Sequence, residues 1–370
     1  MVLNAEKKPE LLLESGTSFA GENFGADVSV SGEVVFNTGM AGYPQSLTDP
    51  SYRGQILVLT YPLVGNYGVA DGAGESDRIQ ISGLVVSEYC EKYSHWSAKL
   101  SLGQWLKQSG VPAISGVDTR ALVKELRERG TMLGKLIAGS KGVAFSNADK
   151  RNLVSEVSIK HPLLYETSFE KPMPLEFSMN AYRRSKKLTA ILVDCGAKNS
   201  IIKSLLARNV RVIKVPWDYN FFHMNFDFVV ISNGPGNPKI CDATIKNAKQ
   251  LIDAQIPTLG ICLGNQILAL AAGGNTAKLK YGHRGQNQPC TIAGTNRCII
   301  TSQNHGYAVD TDSLPSDWNA WFTNENDNTN EGIIHESGIF KAVQFHPEAT
   351  PGPRDASFVF DEFLEGLNKQ

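Results

Sequence analysis

At 370 residues the chain exceeds the usual size of one domain, and its 42% hydrophobic and 20% charged composition excludes disordered and collagen-like classes, so two globular domains are expected. A formal net charge of -1, from 36 basic and 37 acidic residues, lacks the basic excess of a nucleic-acid binder. Six cysteines without a C-x-x-C pair exclude a disulfide framework and a structural zinc, and predict a reducing compartment.

From Leu11 to about Ser140, short apolar strands (Val34 to Phe36, Ile56 to Thr60, Leu84 to Val86) alternate with Gly, Asn and Asp turn signals. Helices are predicted over Leu100 to Ser109 and Thr119 to Arg129, the second capped by Asp118 or Thr119. This reads as a mixed, β-rich domain over residues 1–150. Between Arg151 and Lys187 the periodicity fades around Pro162, Pro172 and Pro174 and ends in the basic run Arg183, Arg184, Ser185, Lys186, Lys187, the pattern of a solvated linker.

After Leu188, strand and helix alternate: Thr189 to Val193, helix near Lys198 to Arg208, Val210 to Val215, Phe228 to Ser232, helix near Ala243 to Ala254, Thr258 to Ile261, and a helix through Ala272. Such alternation predicts an open, mostly parallel α/β sheet over residues 188–370, with ligands at the carboxyl ends of its strands. No apolar run approaches the ~18 residues of a membrane span. Leu11 to Leu13 is too short for a signal peptide, and Glu6, Glu10 and Glu14 precede the first arginine, Arg53, unlike a mitochondrial presequence. A cytoplasmic, membrane-free protein is expected.

Gly260-Ile261-Cys262-Leu263-Gly264 has the spacing of a nucleophile elbow at a strand-to-helix junction. Flanking glycines let strand and helix approach closely, and the helix N-terminus favours the thiolate, which is the reactive form. A thiolate nucleophile needs a proton carrier, and seven histidines are available. Gln344-Phe345-His346-Pro347-Glu348 is the sharpest candidate, since residues two apart on an extended segment share a face and Glu348 would orient the His346 imidazole. His305, in Gln303-Asn304-His305-Gly306, is the rival base and more in keeping with a structural or substrate-lining role. Gly234-Pro235-Gly236 follows an apolar strand and can aim backbone N–H groups at an oxyanion. Gly130 to Leu136 imitates a phosphate loop but has too few intervening residues and no Ser or Thr after Lys135, so no nucleotide site is expected. No metal site is expected either.

Cys262, His346 and Glu348 stand in the order of the Cys-His-Glu triad of class I glutamine amidotransferases, which the second half resembles. The whole chain, from about Leu11 to Leu367, is similar to the small, glutamine-hydrolysing chain of carbamoyl-phosphate synthase. Besides the elbow, the resemblance rests on Gly32 to Thr38, Leu47 to Tyr52, Gly116 to Arg120 and Gln303 to Gly306. It extends over the first domain, which other amidotransferases of the class do not carry. Gly130 to Lys135 and Asn326 to Ser337 are similar to eukaryotic members, often fused to the synthetase.

The resemblance implies that glutamine is hydrolysed through a γ-glutamyl thioester, with substrate contacts at Ser51, Gly234, Gly236, Leu263, Gln266, Asn304, Gly306 and Tyr307. It also implies a partner, an ATP-dependent synthetase subunit or fused domain that turns the ammonia into carbamoyl phosphate for pyrimidines or for arginine and urea. ATP and Mg would then belong to that partner, with no cofactor in this chain, and the first domain would serve as docking surface. Asn265 stands where many members have histidine. It motivates the competing expectation of a slow, structural or regulatory subunit.

Overall fold

The computed structural model describes residues 8–139, 142–175 and 187–367. The chain divides into two compact units, Met1–Lys150 and Arg151–Gln370.

The first unit is built on an eight-stranded mixed sheet. Its strands are β1 (Glu10–Leu13), β2 (Ser18–Ala20), β3 (Glu22–Asn23), β4 (Val30–Asn37), β5 (Gln55–Val64), β7 (Gly83–Tyr89), β9 (Ala113–Ser115) and β10 (Met132–Ile137), while β6 (Val69–Ala70) and β8 (Ala98–Leu100) form a separate ribbon. The order is β2-β1-β10-β4-β5-β7-β9-β3, and the four neighbours β4, β5, β7 and β9 run parallel. The apolar runs noted in the sequence are the buried middles of β4, β5 and β7, where Val35, Leu57, Leu84 and Val86 share a core with Leu47, Leu102 and Leu106 from the helices. Asp118 caps the helix Thr119–Arg129 by accepting from the Ala121 amide at 2.9 Å. The false phosphate loop is occupied by β10, which is laddered to both β1 and β4.

In the second unit eleven strands form one sheet, in the order β12 (Met173–Pro174), β11 (Leu163–Tyr165), β14 (Arg211–Pro216), β13 (Thr189–Asp194), β15 (Phe228–Ile231), β16 (Thr258–Ile261), β21 (Phe340–Val343), β20 (Asn330–His335), β19 (Trp318–Asn324), β17 (Asn275–Ile292) and β18 (Cys298–Asp310). The parallel core consists of β13 (Thr189–Asp194), β14 (Arg211–Pro216), β15 (Phe228–Ile231), β16 (Thr258–Ile261) and β21 (Phe340–Val343). Every residue of these five strands is buried, as expected of parallel strands covered on both faces. Alternate side chains of β13 serve opposite cores: Ala190 and Leu192 pack with Ile201, Leu205 and Phe360, whereas Ile191 and Val193 pack with Ala248, Leu251 and Ile267. β14 lies on one side of β13 and β15 on the other, which creates a crevice at their carboxyl ends.

Two features depart from the sequence reading. The stretch expected as a linker, residues 151–187, contributes to this sheet: β11 (Leu163–Tyr165) pairs antiparallel with β14, and β12 (Met173–Pro174) pairs with β11. Leu164 and Tyr165 bury apolar side chains there, and three residues are too few to show a period. Arg183 to Lys186 of the basic run lie outside the described residues. The second departure is the block between Asn275 and His335. The long hairpin β17 (Asn275–Ile292) and β18 (Cys298–Asp310), with β19 (Trp318–Asn324) and β20 (Asn330–His335), extends the parallel sheet with antiparallel strands. Among the described residues no helix is long and apolar enough to cross a membrane.

Candidate active site

Cys262 sits between β16 and the helix Leu263–Ala272, with φ 54° and ψ −102°, outside the regions a side chain ordinarily tolerates. Its amide donates to the Val343 carbonyl at 2.8 Å, which ties the turn to neighbouring β21. The two glycines have a direct steric cause. A Cβ at Gly264 would lie 2.0 Å from the Ile231 carbonyl oxygen, and one at Gly260 would lie 2.6 Å from the Gly264 oxygen. Leu263, the first residue of the helix, offers one of the N–H groups that no helical turn satisfies. Gly234 and Gly236 follow β15, the strand beside β16. A Cβ at Gly234 would reach within 2.1 Å of the Cys195 carbonyl, and Gly236 has φ +87°, so both positions exclude side chains for backbone reasons.

His346 and Glu348 follow β21, the other neighbour of β16. They lie on a turn closed by the Ala349 amide donating to the His346 carbonyl at 3.0 Å, rather than on the extended segment expected for Gln344 to Glu348. The pairing survives this correction: Nδ1 of His346 and Oε1 of Glu348 are 2.6 Å apart, and both residues are buried. Among the described residues Nε2 of His346 has no hydrogen-bond partner, and the nearby Cys262 side chain helps hold the ring charged.

Lys198 was not anticipated as a member of the site. Its ammonium, only 3% exposed, donates to Glu348 Oε1 at 2.9 Å and to the Ala349 carbonyl at 2.8 Å. Its own amide donates to the Asn233 side chain at 3.1 Å, fixing the loop after β13 against the loop after β15. Buried lysines are rare unless paired. The only sequence clue was its place at the end of a strand, just before a helix.

These three charges tune one another. Burial opposes ionisation of Glu348, but Lys198 and His346 outweigh it and pull its pKa down to about 2. Burial also works against a charged His346. The Glu348 charge prevails over that and over Lys198, raising the imidazole to about 10. The sign for stability follows from linkage. A histidine raised from 6.5 adds stability that is whole below pH 6.5 and lost as pH rises toward 10, whereas a carboxylate lowered from 4.5 adds stability that is lost as pH falls toward 2. We therefore expect urea-unfolding free energies to decline between pH 6.5 and 10, with a shallower decline in Glu348→Gln. Equal slopes in the two proteins would contradict the coupling.

Of the remaining expected substrate contacts, Gln266, Asn304, Gly306 and Tyr307 gather around the elbow. Gln266 Nε2 donates to the Tyr307 carbonyl at 2.9 Å, and Cys262 Sγ lies 3.7 Å from the Asn304 carbonyl oxygen. Ser51 belongs to the first unit, buried on the turn Pro50–Tyr52, with its amide held by Asp49 at 2.9 Å. Asn265 is fully buried, its Nδ2 3.4 Å from Gln344 Oε1. His305 is engaged at both nitrogens, by the Tyr307 carbonyl at 2.8 Å and Gln303 Oε1 at 3.0 Å. Burial and the neighbouring His283 push its pKa well down. Among the described residues, His283, His305 and Glu331 bring metal-ligand atoms within 4.8 Å of one another. Both nitrogens of His283 are already occupied, by Glu331 at 3.1 Å and Asp327 at 2.9 Å. Burial disfavours its charge, but these carboxylates reverse that and raise its pKa.

The geometry is that of a cysteine elbow served by a histidine–carboxylate pair at the carboxyl ends of β16 and β21. Residues 191–365 match the family model for glutamine amidotransferase class-I, and residues 11–136 match that for the carbamoyl-phosphate synthase small chain, CPSase domain. The chain is 46% identical over 384 residues to the carbamoyl phosphate synthase arginine-specific small chain of Saccharomyces cerevisiae, covering 99% of this chain and 90% of that one. The chain belongs to the carbamoyl-phosphate synthase small-chain family. Within the family it is also 50% identical to the multifunctional protein CAD of Squalus acanthias and 47% identical to the multifunctional protein pyrABCN of Emericella nidulans. In each case 96% of this chain is covered, but it spans only 16% and 17% of those longer proteins.

Proposed function

We propose that this chain hydrolyses L-glutamine and passes the ammonia to a carbamoyl-phosphate synthase partner, either a separate large subunit or a fused domain. The observation that carries this reading is the Cys262 elbow facing a buried His346–Glu348–Lys198 array in a chain of this family. The Cys262 thiolate attacks the side-chain amide carbon, and the N–H groups of Leu263 and Gly236 hold the oxyanion. Charged His346, kept protonated by Glu348, gives its proton to the departing nitrogen, so ammonia leaves and a γ-glutamyl thioester remains. Now neutral, His346 takes a proton from water, which attacks the thioester. Glutamate leaves and the thiolate is restored. Gly234, Gln266, Asn304, Gly306 and Tyr307 are the proposed substrate contacts.

Ammonia released to neutral water would be protonated and lose its nucleophilicity, which is why a receiving partner belongs to the proposal. ATP, Mg and bicarbonate are assigned to that partner, with no cofactor in this chain. The product would serve pyrimidine or arginine and urea synthesis. Six free cysteines fit a reducing compartment, in keeping with the cytoplasm. The test is glutamate release measured with and without a synthetase and its substrates. Turnover that rises when the partner is working supports the proposal. No release at saturating partner would leave the slow, structural subunit as the better reading, with Asn265 the first position to restore to histidine.

A further inference from the structure

Gln344, two residues before His346, is completely buried, and its amide N–H donates to the Glu331 carbonyl at 2.8 Å. The orientation of its side chain follows by elimination. The Tyr307 carbonyl can only accept, so the Gln266 group lying 2.9 Å from it is the NH2. That same NH2 lies 3.1 Å from Gln344, which must answer with its oxygen, and Nδ2 of Asn265 approaches the same oxygen at 3.4 Å. The NH2 of Gln344 is thereby turned to the other side, where its neighbour at 3.7 Å is Cys262 Sγ.

The geometry points to Gln344 as the side-chain donor that holds the nucleophilic sulfur in its anionic form, an inference that rests on the reading of Cys262 as nucleophile. Besides the His346 imidazole, the sulfur meets two polar groups of opposite kind among the described residues. The Asn304 carbonyl, also at 3.7 Å, can serve only an S–H. The Gln344 N–H strengthens as negative charge appears on sulfur, because hydrogen bonds to ions are about twice as strong as neutral ones. It therefore acts twice in a turnover: on the thiolate before attack, and on the sulfur that recovers its charge when water cleaves the thioester. Both moments lie on the path to a transition state, where differential stabilisation becomes rate. Gln266 and Asn265 are positioning residues for that amide.

The test is alkylation of the full chain by iodoacetamide at neutral pH, with each cysteine quantified by mass spectrometry and exposed Cys298 as internal reference. Gln344→Met should slow labelling of Cys262 by about 10- to 100-fold, the range expected for a hydrogen bond to a charged group, and leave Cys298 unchanged. The kcat for glutamine should fall in step. Should the methionine variant fail to fold, as judged by its melting transition, Gln344→Asn takes its place. It keeps an amide in the pocket, withdrawn by one methylene, and must show the same selective loss. Parent-like labelling of Cys262 in the folded variant, or a change confined to KM, would overturn the inference. If Cys262→Ser still hydrolysed glutamine, the underlying nucleophile assignment would fall as well. A dead serine variant beside parent-like Gln344 variants would remove this inference alone.

Discussion

Cys262→Ser should lose glutamine hydrolysis by about a millionfold in kcat, the scale on which removing the nucleophile of a comparable hydrolase acts. Serine is smaller and its hydroxyl far less acidic, so the pocket would keep its shape without supplying an anion at neutral pH. Substrate binding should persist, because the proposed contacts lie on the backbone and on other side chains. The separating measurement is carbamoyl phosphate formation by the complex with its partner, supplied with either glutamine or ammonium salt. Glutamine-dependent synthesis should vanish while the ammonium-dependent reaction continues. Residual glutamine turnover within about a hundredfold of the parent would mean that another group attacks the substrate.

The second large effect is expected at Lys198, through a different property. Lys198→Met removes one partner of a fully buried pair and leaves the Glu348 carboxylate without its ammonium in the low-dielectric interior. Breaking such pairs costs about 3–5 kcal/mol, read as a lower denaturation midpoint with little change in the denaturant slope. Glutamine turnover should fall too, since Glu348 loses the contact that fixes it beneath His346. A rescue separates this from generic damage. Lys198→Met combined with Glu348→Gln removes both charges and should recover a large part of the stability, but none of the activity. If the double variant were no more stable than the single one, the cost would have to lie in lost packing of the lysine stem.

Much of the second unit was legible in the sequence because its strands are short apolar runs spaced by helical periods, and burial on both faces leaves little room for polar residues. Its elbow was legible for a related reason: the close approach at Gly260 and Gly264 has one chemical solution, absence of a side chain. The hairpin between Asn275 and Asp310 was not. Its strands alternate irregularly, with register shifts between Lys278 and His283 and between Gly285 and Gln288, and its buried positions include the consecutive polar residues Gln303, Asn304 and His305. Polar residues bonded to one another give no periodic signal. Lys198 escaped for the same cause, since a lysine on its own reads as solvated, and only the fold reveals that its charge is spent internally. The pairing of His346 with Glu348 was anticipated through the wrong local geometry: a turn, not an extended segment, brings them together.

The insertion of β21 between β16 and the antiparallel block has a temporal consequence. Cys262 and Gln344 are separated by 82 positions in the chain. A ribosome therefore releases the reactive sulfur long before the imidazole and the strand that complete its surroundings. Until that late strand slides in, the backbone amide of Cys262 lacks the Val343 carbonyl that stabilises its bend. A half-made polypeptide can thus hold the sulfur while the imidazole, the carboxylate and the carbonyl that complete its surroundings are still unmade.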